Sequence, residues 1–467
     1  GEVFKDIDKK YKKINFKDIK FNSKECKLND IFFAIKGNNL DGKKYIRDAI
    51  KNGAKIIVSS LKLNKSKKKD ILFIRNKNPR KLLSLISSRI YKSKPSNIIA
   101  VTGTNGKTSV ANFYQQILNL NNIKVASIGT LGVSSRNFNL NSSNTTLDSV
   151  SINKILYKLK KLKIDNVILE ASSHGLHQHR LNNINFKTAI FTNLTMEHLD
   201  YHKNIKNYLN AKLYLFKKLL DLKGNIIFDE TINQSKQLDI ITKKRRLKKY
   251  TFGSSRSFIK IIKIQKVNNQ NQIDFTLNKK NYSFKTSLLG KIQIKNLMFA
   301  IIAAYLSNVE INKILKSKKK IKPINGRLEN IGNLKNNSKI ILDYAHTPNA
   351  LQTVISNIKE EFPLSKISLV FGCGGNRDKN KRSEMGAIAK KYCENIYLTD
   401  DNPRSENPKL IRNQIKRGLK NKKFFEISSR SKAISIAIDK LNSGDILIVA
   451  GKGHENYQEF KKKKIFF

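Results

Sequence analysis

Apolar residues in this chain come in short runs, and their spacing divides it into blocks. "DIFFAIKG" (30–37) and "AKIIVSS" (54–60) have the length and β-branched content of strands, with the helix-spaced "YIRDAIKNG" between them. "NIIAV", "VASIG", "NVILEAS" and "TAIFTNL" predict further buried strands, and "SVANFYQQILNL" repeats apolar residues at helical spacing. Between 256 and 287 the pattern turns to alternation, "FIKIIKIQKV" and "IDFTLNKKNYSF", which predicts a hairpin-like antiparallel insertion. "IKNLMFAIIAAYL" reads as a helix. Beyond 326, "KIILDYA", "KISLVFG", "NIYLTD" and "DILIVAG" each adjoin a helical segment, the alternation of a mostly parallel sheet.

Two stretches without periodicity separate these blocks, "YKSKPSN" (91–97) and "KSKKKIKPINGR" (316–327). The expected domains are therefore 1–95, 96–325 and 326–467, about the number that 467 residues imply. The expected fold class is α/β: a central P-loop-type parallel sheet with the small antiparallel insertion, and a Rossmann-like C-terminal domain. In the last block "DYAHTP", "CGGNRDK", "DDNPRSENP" and "GKGHE" all follow strands. Ligands of open α/β sheets bind at the strands' carboxyl ends, so these four loops are expected to converge.

Composition narrows the functional classes. No run of 18 apolar residues exists, so no membrane span is expected. Cys26, Cys373 and Cys393 are far apart, which fits a reduced, cytoplasmic protein. The chain begins with Gly1, so a true start upstream is expected. A net charge of +57 favours nucleic acid at face value. Against that, lysines are spread from Lys5 to Lys464, with short runs at 67–69 and 461–464, and aromatics do not interleave with them. Heavy simultaneous use of Asn, Ile and Lys points to coding bias written onto solvated faces.

"VTGTNGKTSV" (101–110) carries the chemistry. The common P-loop wants a glycine, four free positions, then Gly-Lys-Ser/Thr; here the leading position is Val101. A strand before it and a helix opening at Lys107 nevertheless make a concave anion site. Lys107 would neutralise phosphate charge and the Thr108 hydroxyl would reach a magnesium ion. Glu170, ending the strand "NVILE", suits a magnesium ligand, with a satisfied buried acid as the alternative. Five of seven histidines lie between 174 and 202, yet no HExxH or nearby cysteine supports zinc.

"TGTNGKTS" resembles the shortened ATP loop of the Mur ligases and their folylpolyglutamate synthetase relatives. The resemblance extends along nearly the whole chain through "NTT" (144–146), "EASSHGLHQHR" (170–180), "FTNLTMEHLDYH" (191–202), "AKLYLF" (211–216), "GRLE" (326–329), "DYAHTP", "FGCGGNRDKNKR", "DDNPR" and "AGKGHE". It implies an ATP-dependent ligase of peptidoglycan precursor synthesis. Such a ligase adds meso-diaminopimelate to UDP-N-acetylmuramoyl-L-alanyl-D-glutamate through an acyl phosphate. The alternatives are the lysine-adding version, a folylpolyglutamate synthetase and a basic nucleic-acid binder.

By that resemblance Gly103, Thr104, Asn105, Gly106, Lys107, Thr108, Ser109, Asn296, Arg327 and Asp343 bind ATP. Ser23, Asn144, Thr145, Thr146, Ser172, Gln178 and Arg180 hold the UDP-muramoyl dipeptide. Arg377, Asp401, Asn402, Pro403, Arg404, Gly451 and Glu455 hold diaminopimelate. Lys107, Glu170, His198 and Lys212 are catalytic. Magnesium is held by Thr108, Glu170, His198 and Lys212, the last as a carbamate; His177, His179 and His202 are packing or surface residues. The chain departs from the family pattern at Asn22, Lys24, Gln293 and Asn376. Small-molecule substrates, no nucleic acid, no membrane and a monomeric state complete the expectation. Similar chains continue past "KKKKIFF", so a further segment is expected there.

Overall fold

The computed structural model describes residues 15–37, 40–60, 71–142, 144–254, 256–267, 270–317, 320–334, 336–461 and 463–466. The lysine run 67–69 and part of the second predicted linker lie outside them. Four strands, β1 (Ile19–Lys20), β2 (Ile31–Ala34), β3 (Ile56–Ser59) and β4 (Leu72–Arg75), pair in parallel in that order. The helix Pro79–Ile90 packs Leu82, Leu83 and Ile86 into their core.

The middle sheet has ten strands. They are β5 (Asn97–Thr102), β6 (Val125–Gly129), β7 (Gly132–Ser135), β8 (Asn166–Glu170), β9 (Phe186–Phe191), β10 (Leu220–Asp229), β11 (Lys248–Phe252), β12 (Ile259–Val267), β13 (Gln270–Leu277) and β14 (Lys280–Thr286). Their order is β14-β13-β12-β11-β10-β9-β5-β8-β6-β7, which puts β5 near the middle. Alternate residues of β5 enter different cores: Ile99 and Val101 one, Ile98 and Ala100 the other. A strand buried on both faces reads as a continuous apolar run, as "NIIAV" does. The helices Lys107–Leu120 and Gly290–Leu306 cover one face. The second is apolar all round because it lies between that face and its neighbours.

The third sheet contains β15 (Glu329–Asn333), β16 (Lys339–Asp343), β17 (Ile367–Phe371), β18 (Asn395–Leu398), β19 (Phe425–Glu426) and β20 (Ile446–Ala450), in the order β15-β16-β20-β17-β18-β19. All pairs except β15–β16 are parallel. Helices Pro348–Glu361, Asn380–Tyr392 and Pro408–Lys416 cover one face and Arg430–Asp439 the other. A hairpin of β21 (Tyr457–Phe460) and β22 (Lys463–Phe466) follows.

The predicted antiparallel segment forms β12–β14, which extend the middle sheet beyond β11. The segment "NAKLYLFKKLL" (210–220) is helical to Tyr214; a π turn follows over Leu215–Leu219, and β10 starts at Leu220. Strands β10 and β11 escape sequence reading because Lys, Asn and Gly dilute their apolar residues; pairing beside β9 makes them strands. Among the described residues no helix is long and apolar enough to cross a membrane.

Candidate active site

Val101 is not a defective loop residue. It lies wholly buried in β5, beside Glu170 of β8 and Ile190 of β9. The strand runs on to Thr102, so the turn starts at Gly103 and the helix at Lys107. A Cβ at Gly103 (φ +148°) would sit 1.9 Å from Thr192 Oγ1, and one at Gly106 (φ +88°) 2.4 Å from Asn296 Oδ1. Both positions therefore need glycine. The segment after β9 supports the loop: Thr104 N donates to Asn193 O at 3.0 Å and Asn105 N to Asn193 Oδ1 at 2.9 Å. No side chain caps the helix at Gly106, which leaves its first N–H groups for an anion. Ser109 is buried behind them.

Lys107 Nζ donates to the carbonyls of Gly103 (2.8 Å) and Thr104 (2.7 Å). Lys212, from the helix Ile205–Tyr214, donates to the same Gly103 oxygen at 2.7 Å and lies over the Tyr208 ring. Burial holds both ammonium groups below the usual lysine range, and Lys107 adds repulsion at Lys212. Thr108 Oγ1 donates to Glu170 Oε2 at 2.9 Å. Thr130, which sequence reading missed, donates to the same carboxylate through N (2.9 Å) and Oγ1 (3.2 Å). Glu170 is 2% exposed and has no ion pair among the described residues. A buried carboxylate flanked by hydroxyls fits the oxygen-rich, partly open shell that magnesium prefers. His198 lines the cleft with Glu197, and partial desolvation there lowers its imidazole from the ordinary value. His202 is buried with Nε2 3.0 Å from Ser173 Oγ; His177 is exposed.

A cleft of about 1120 Å³ separates this floor from the ends of the third sheet. The ATP-type residues from Thr104 to Ser109 line it, as do Glu170, His198, Asn296, Arg327 and Asp343. Asn144 and Thr145 line its other end, with Thr145 Oγ1 3.1 Å from Thr130 Oγ1. Gln293 and Asn296 are linked to the "GRLE" corner: Asn296 Nδ2 donates to Gln293 Oε1 (3.2 Å), and Gln293 Nε2 to Arg327 O (2.7 Å). Asp343 is occupied by backbone, accepting from Leu328 N (2.8 Å) and Ala345 N (2.7 Å); burial raises its carboxyl.

The four loops of the third sheet do converge. Gly375 N donates to Asn402 O at 2.8 Å, and a Cβ on Gly451 would lie 2.9 Å from Asp401 Oδ2. Arg377 and Glu455 line the cleft, whereas Asp401, Asn402, Pro403, Arg404 and Gly451 do not. Lys452, also missed from sequence, is buried and donates to Asn402 Oδ1 (2.5 Å), Tyr457 O (2.6 Å) and Glu455 Oε2 (3.2 Å). Arg404 is already engaged by its neighbours. Its Nε pairs with Glu459 of β21 at 3.0 Å and its NH1 donates to Gly375 O at 2.8 Å. Asn376 sits at φ +54°, a left-handed conformation that asparagine tolerates, and its Oδ1 accepts from Ser405 Oγ at 2.8 Å.

The remaining predicted group forms a separate cluster toward the first sheet. Thr146 Oγ1 donates to Glu170 O (2.8 Å) and accepts from Ser172 N (2.9 Å). Arg180 NH1 donates to Thr146 O at 2.6 Å and its NH2 to Gln178 Oε1 at 2.9 Å. Ser23 is buried in a short 3₁₀ turn of the first domain, away from the cleft.

Three family models match the chain. They are described as the Mur ligase family catalytic domain (residues 15–99), the Mur ligase middle domain (101–304) and the Mur ligase glutamate ligase domain (326–453). A protein of Rickettsia bellii named UDP-N-acetylmuramoyl-L-alanyl-D-glutamate–2,6-diaminopimelate ligase is 40% identical over 98% of this chain and 95% of its own length. One of the same name from Wigglesworthia glossinidia brevipalpis is 40% identical over 97% and 93%. A solved structure bearing that name superposes with TM-score 0.69 at 28% identity, covering 97% of this chain and 92% of that one. The MurF ligase of Thermotoga maritima in complex with ADP shares the fold, with TM-score 0.64 at 17% identity over 94% and 95%.

Proposed function

The chain belongs to the Mur ligase family, and we propose that it joins meso-diaminopimelate to UDP-N-acetylmuramoyl-L-alanyl-D-glutamate, converting ATP to ADP and phosphate. One observation carries the proposal: the helix opening at Lys107, the Thr108–Glu170 pair and the Arg377 and Glu455 side chains all face a single cleft. A phosphate-binding floor thus stands opposite a wall that offers both a cation and an anion to an amino acid.

The chemistry follows from that arrangement. A free carboxylate resists an amine, so its oxygen first attacks the γ-phosphorus of ATP and ADP leaves. The amine then attacks the acyl phosphate carbon, loses a proton, and phosphate departs. The helix N–H groups and Lys107 hold the phosphates against the charge that builds on the transferring group. To do so, Lys107 turns from the Gly103 and Thr104 carbonyls toward the ligand. Asn296 and Arg327 hold the nucleotide from the far side, with Asp343 shaping the corner between them.

Thr108 and Glu170 would hold magnesium, with His198 and a carbamylated Lys212 at a second position. Magnesium there neutralises phosphate charge. Lys212 fits the modification: only an unprotonated amine takes up carbon dioxide, and its burial beside Lys107 favours that form. Thr145, Thr146, Ser172, Gln178 and Arg180 hold the sugar and peptide. Asn402, Arg404 and Glu455 hold the far end of diaminopimelate, whose extra carboxylate suits the planar arginine fork. Residues 1–95, 96–325 and 326–467 act as UDP-sugar, ATP and amino-acid domains of a cytoplasmic monomer, with no nucleic-acid or membrane partner.

Phosphate release from ATP, measured with the UDP-muramoyl dipeptide and meso-diaminopimelate, L-lysine or no amino acid, tests this. Release stimulated by diaminopimelate supports it. Stimulation by lysine alone selects the lysine-adding reaction, and none at all overturns the ligase reading.

A further inference from the structure

Arg382, in the helix Asn380–Tyr392, is wholly buried, and no step of the chemistry above uses it. Its guanidinium lies where two of the converging loops cross. NH1 and NH2 fork onto the Glu406 carboxylate at 2.8 and 3.1 Å. NH2 also donates to Gly374 O at 3.0 Å, and NH1 to Gln414 Oε1 at 2.6 Å. Gln414 belongs to the helix Pro408–Lys416, which packs closely on the helix of Arg382: a Cβ on Gly386 would lie 2.3 Å from Ile415 O. Glu406 passes the contact on. Its Oε1 accepts from Asn376 N at 2.5 Å, and Asn376 Oδ1 accepts from Ser405 Oγ at 2.8 Å. Asn376, in its left-handed conformation, is thus held at backbone and side chain by the neighbouring loop, and the next residue is Arg377, which lines the cleft. Beside Gly374, Gly375 O accepts from Arg404 NH1 at 2.8 Å. One buried cation therefore ties together the segments that carry Arg377 and Arg404.

Replacing a buried ion pair by apolar packing is often neutral or stabilising, so stability alone is a poor reason for this one. Direction is a better reason. A guanidinium fork fixes the plane of the carboxylate it meets, which apolar packing does not. Resting on the ligase reading above, we propose that Arg382 is a positioning residue: through Glu406 it sets Arg377 and Arg404 as one unit, at the separation that diaminopimelate requires. Arg382 and Glu406 both lie off the cleft lining, so the role is one of placement rather than contact. The pair stays charged across the working range of pH, because the hydrogen bonds from Arg382 hold the Glu406 carboxyl down at about 2.

The test compares wild type, Arg382→Lys, Glu406→Gln, Arg404→Ala and the double variant Glu406→Gln with Arg404→Ala, all in the full chain. Thermal unfolding checks folding, and phosphate release is titrated with diaminopimelate, ATP and the dipeptide in turn. Arg382→Lys and Glu406→Gln are each expected to raise the diaminopimelate KM by roughly 10- to 100-fold, the scale of a slight misplacement of a binding group. The preference over lysine narrows, while the KM values for ATP and the dipeptide stay at wild-type values. In the Arg404→Ala background Glu406→Gln costs less than it does alone, because one of the arginines it places is already gone. A diaminopimelate KM unchanged in the folded variants overturns the proposal. So does an equal rise in the ATP KM, which makes the pair a general prop of the domain, and so does an additive loss in the double variant. If Arg382→Lys does not fold, Glu406→Gln, whose side chain is partly exposed, carries the test by itself. Wild type that diaminopimelate does not stimulate overturns the ligase reading, and the positioning role with it.

Discussion

Lys107 and Lys212 share one acceptor: their ammonium groups donate to the Gly103 carbonyl at 2.8 and 2.7 Å. Two buried cations on one oxygen repel, and burial together with Lys107 lowers the Lys212 ammonium well below the usual lysine range. Lys212→Ala is therefore expected to lower kcat by roughly 100-fold or more, the scale of losing a charge that positions the metal and phosphate. Short carboxylic acids should restore part of it by standing in for a carbamate. A ¹³C carbamate resonance from wild type in ¹³CO₂-equilibrated buffer, absent in the variant, is the direct check. Full activity of Lys212→Ala defeats the assignment.

The Thr108–Glu170 bond at 2.9 Å predicts a shared effect on magnesium. Thr108→Val and Glu170→Gln should each raise the magnesium concentration needed for half-maximal activity. The double variant should cost less than the sum of the two in free energy, because both disturb one site. Magnesium titrations of the three variants decide this; independent, additive losses would separate the residues.

Gly103→Ala tests the loop's geometry rather than its chemistry. The added methyl meets Thr192 Oγ1 at 1.9 Å on a left-handed backbone. A loss of about 2 kcal/mol or more is expected, read as a lower Tm. An unchanged Tm would mean that the loop relaxes.

Arg404 is held by Glu459 on one side and Gly375 O on the other. Arg404→Ala should raise the diaminopimelate KM and narrow the preference over lysine, which such a polar contact can set at roughly 10⁴-fold. The KM values for ATP and the dipeptide should stay unchanged. Glu459→Ala keeps the guanidinium and should keep the preference, with a smaller rise in KM. If selectivity survives Arg404→Ala, the specificity lies elsewhere.

Acid should destabilise the middle domain through its histidines. Burial brings His174 and His202 from the ordinary 6.5 down to about 4. The unfolded chain then binds more protons than the folded one between those values, so stability rises with pH across that window. Tm should fall steadily from pH 6.5 toward pH 4 and fall less in His174→Gln. A flat Tm over that range would contradict the shift.

Local pattern was enough for the fully apolar parallel strands of the middle and third sheets, such as β5, β8, β17 and β20, and for the phosphate loop. Runs such as "NIIAV" and "DILIVAG" are buried on both faces, and the chain needs apolar residues at every position there. Motif-bearing loops were equally legible, because Gly103, Gly106 and Gly451 answer steric demands that a side chain would violate. Strands β10 and β11 were not, since only pairing beside β9 makes extended chain of lysine-diluted segments. Nor were Thr130 on Glu170, Lys452 under Asn402, or Glu459 on Arg404. Each joins residues dozens of positions apart, and nothing in one residue's neighbours along the chain records which carboxylate or guanidinium will face it. Sequence by itself thus determined which chemistry the chain carries. Tertiary structure decided how that chemistry is aimed, because hydrogen-bond partners are chosen by the packing of sheets and helices rather than by spacing.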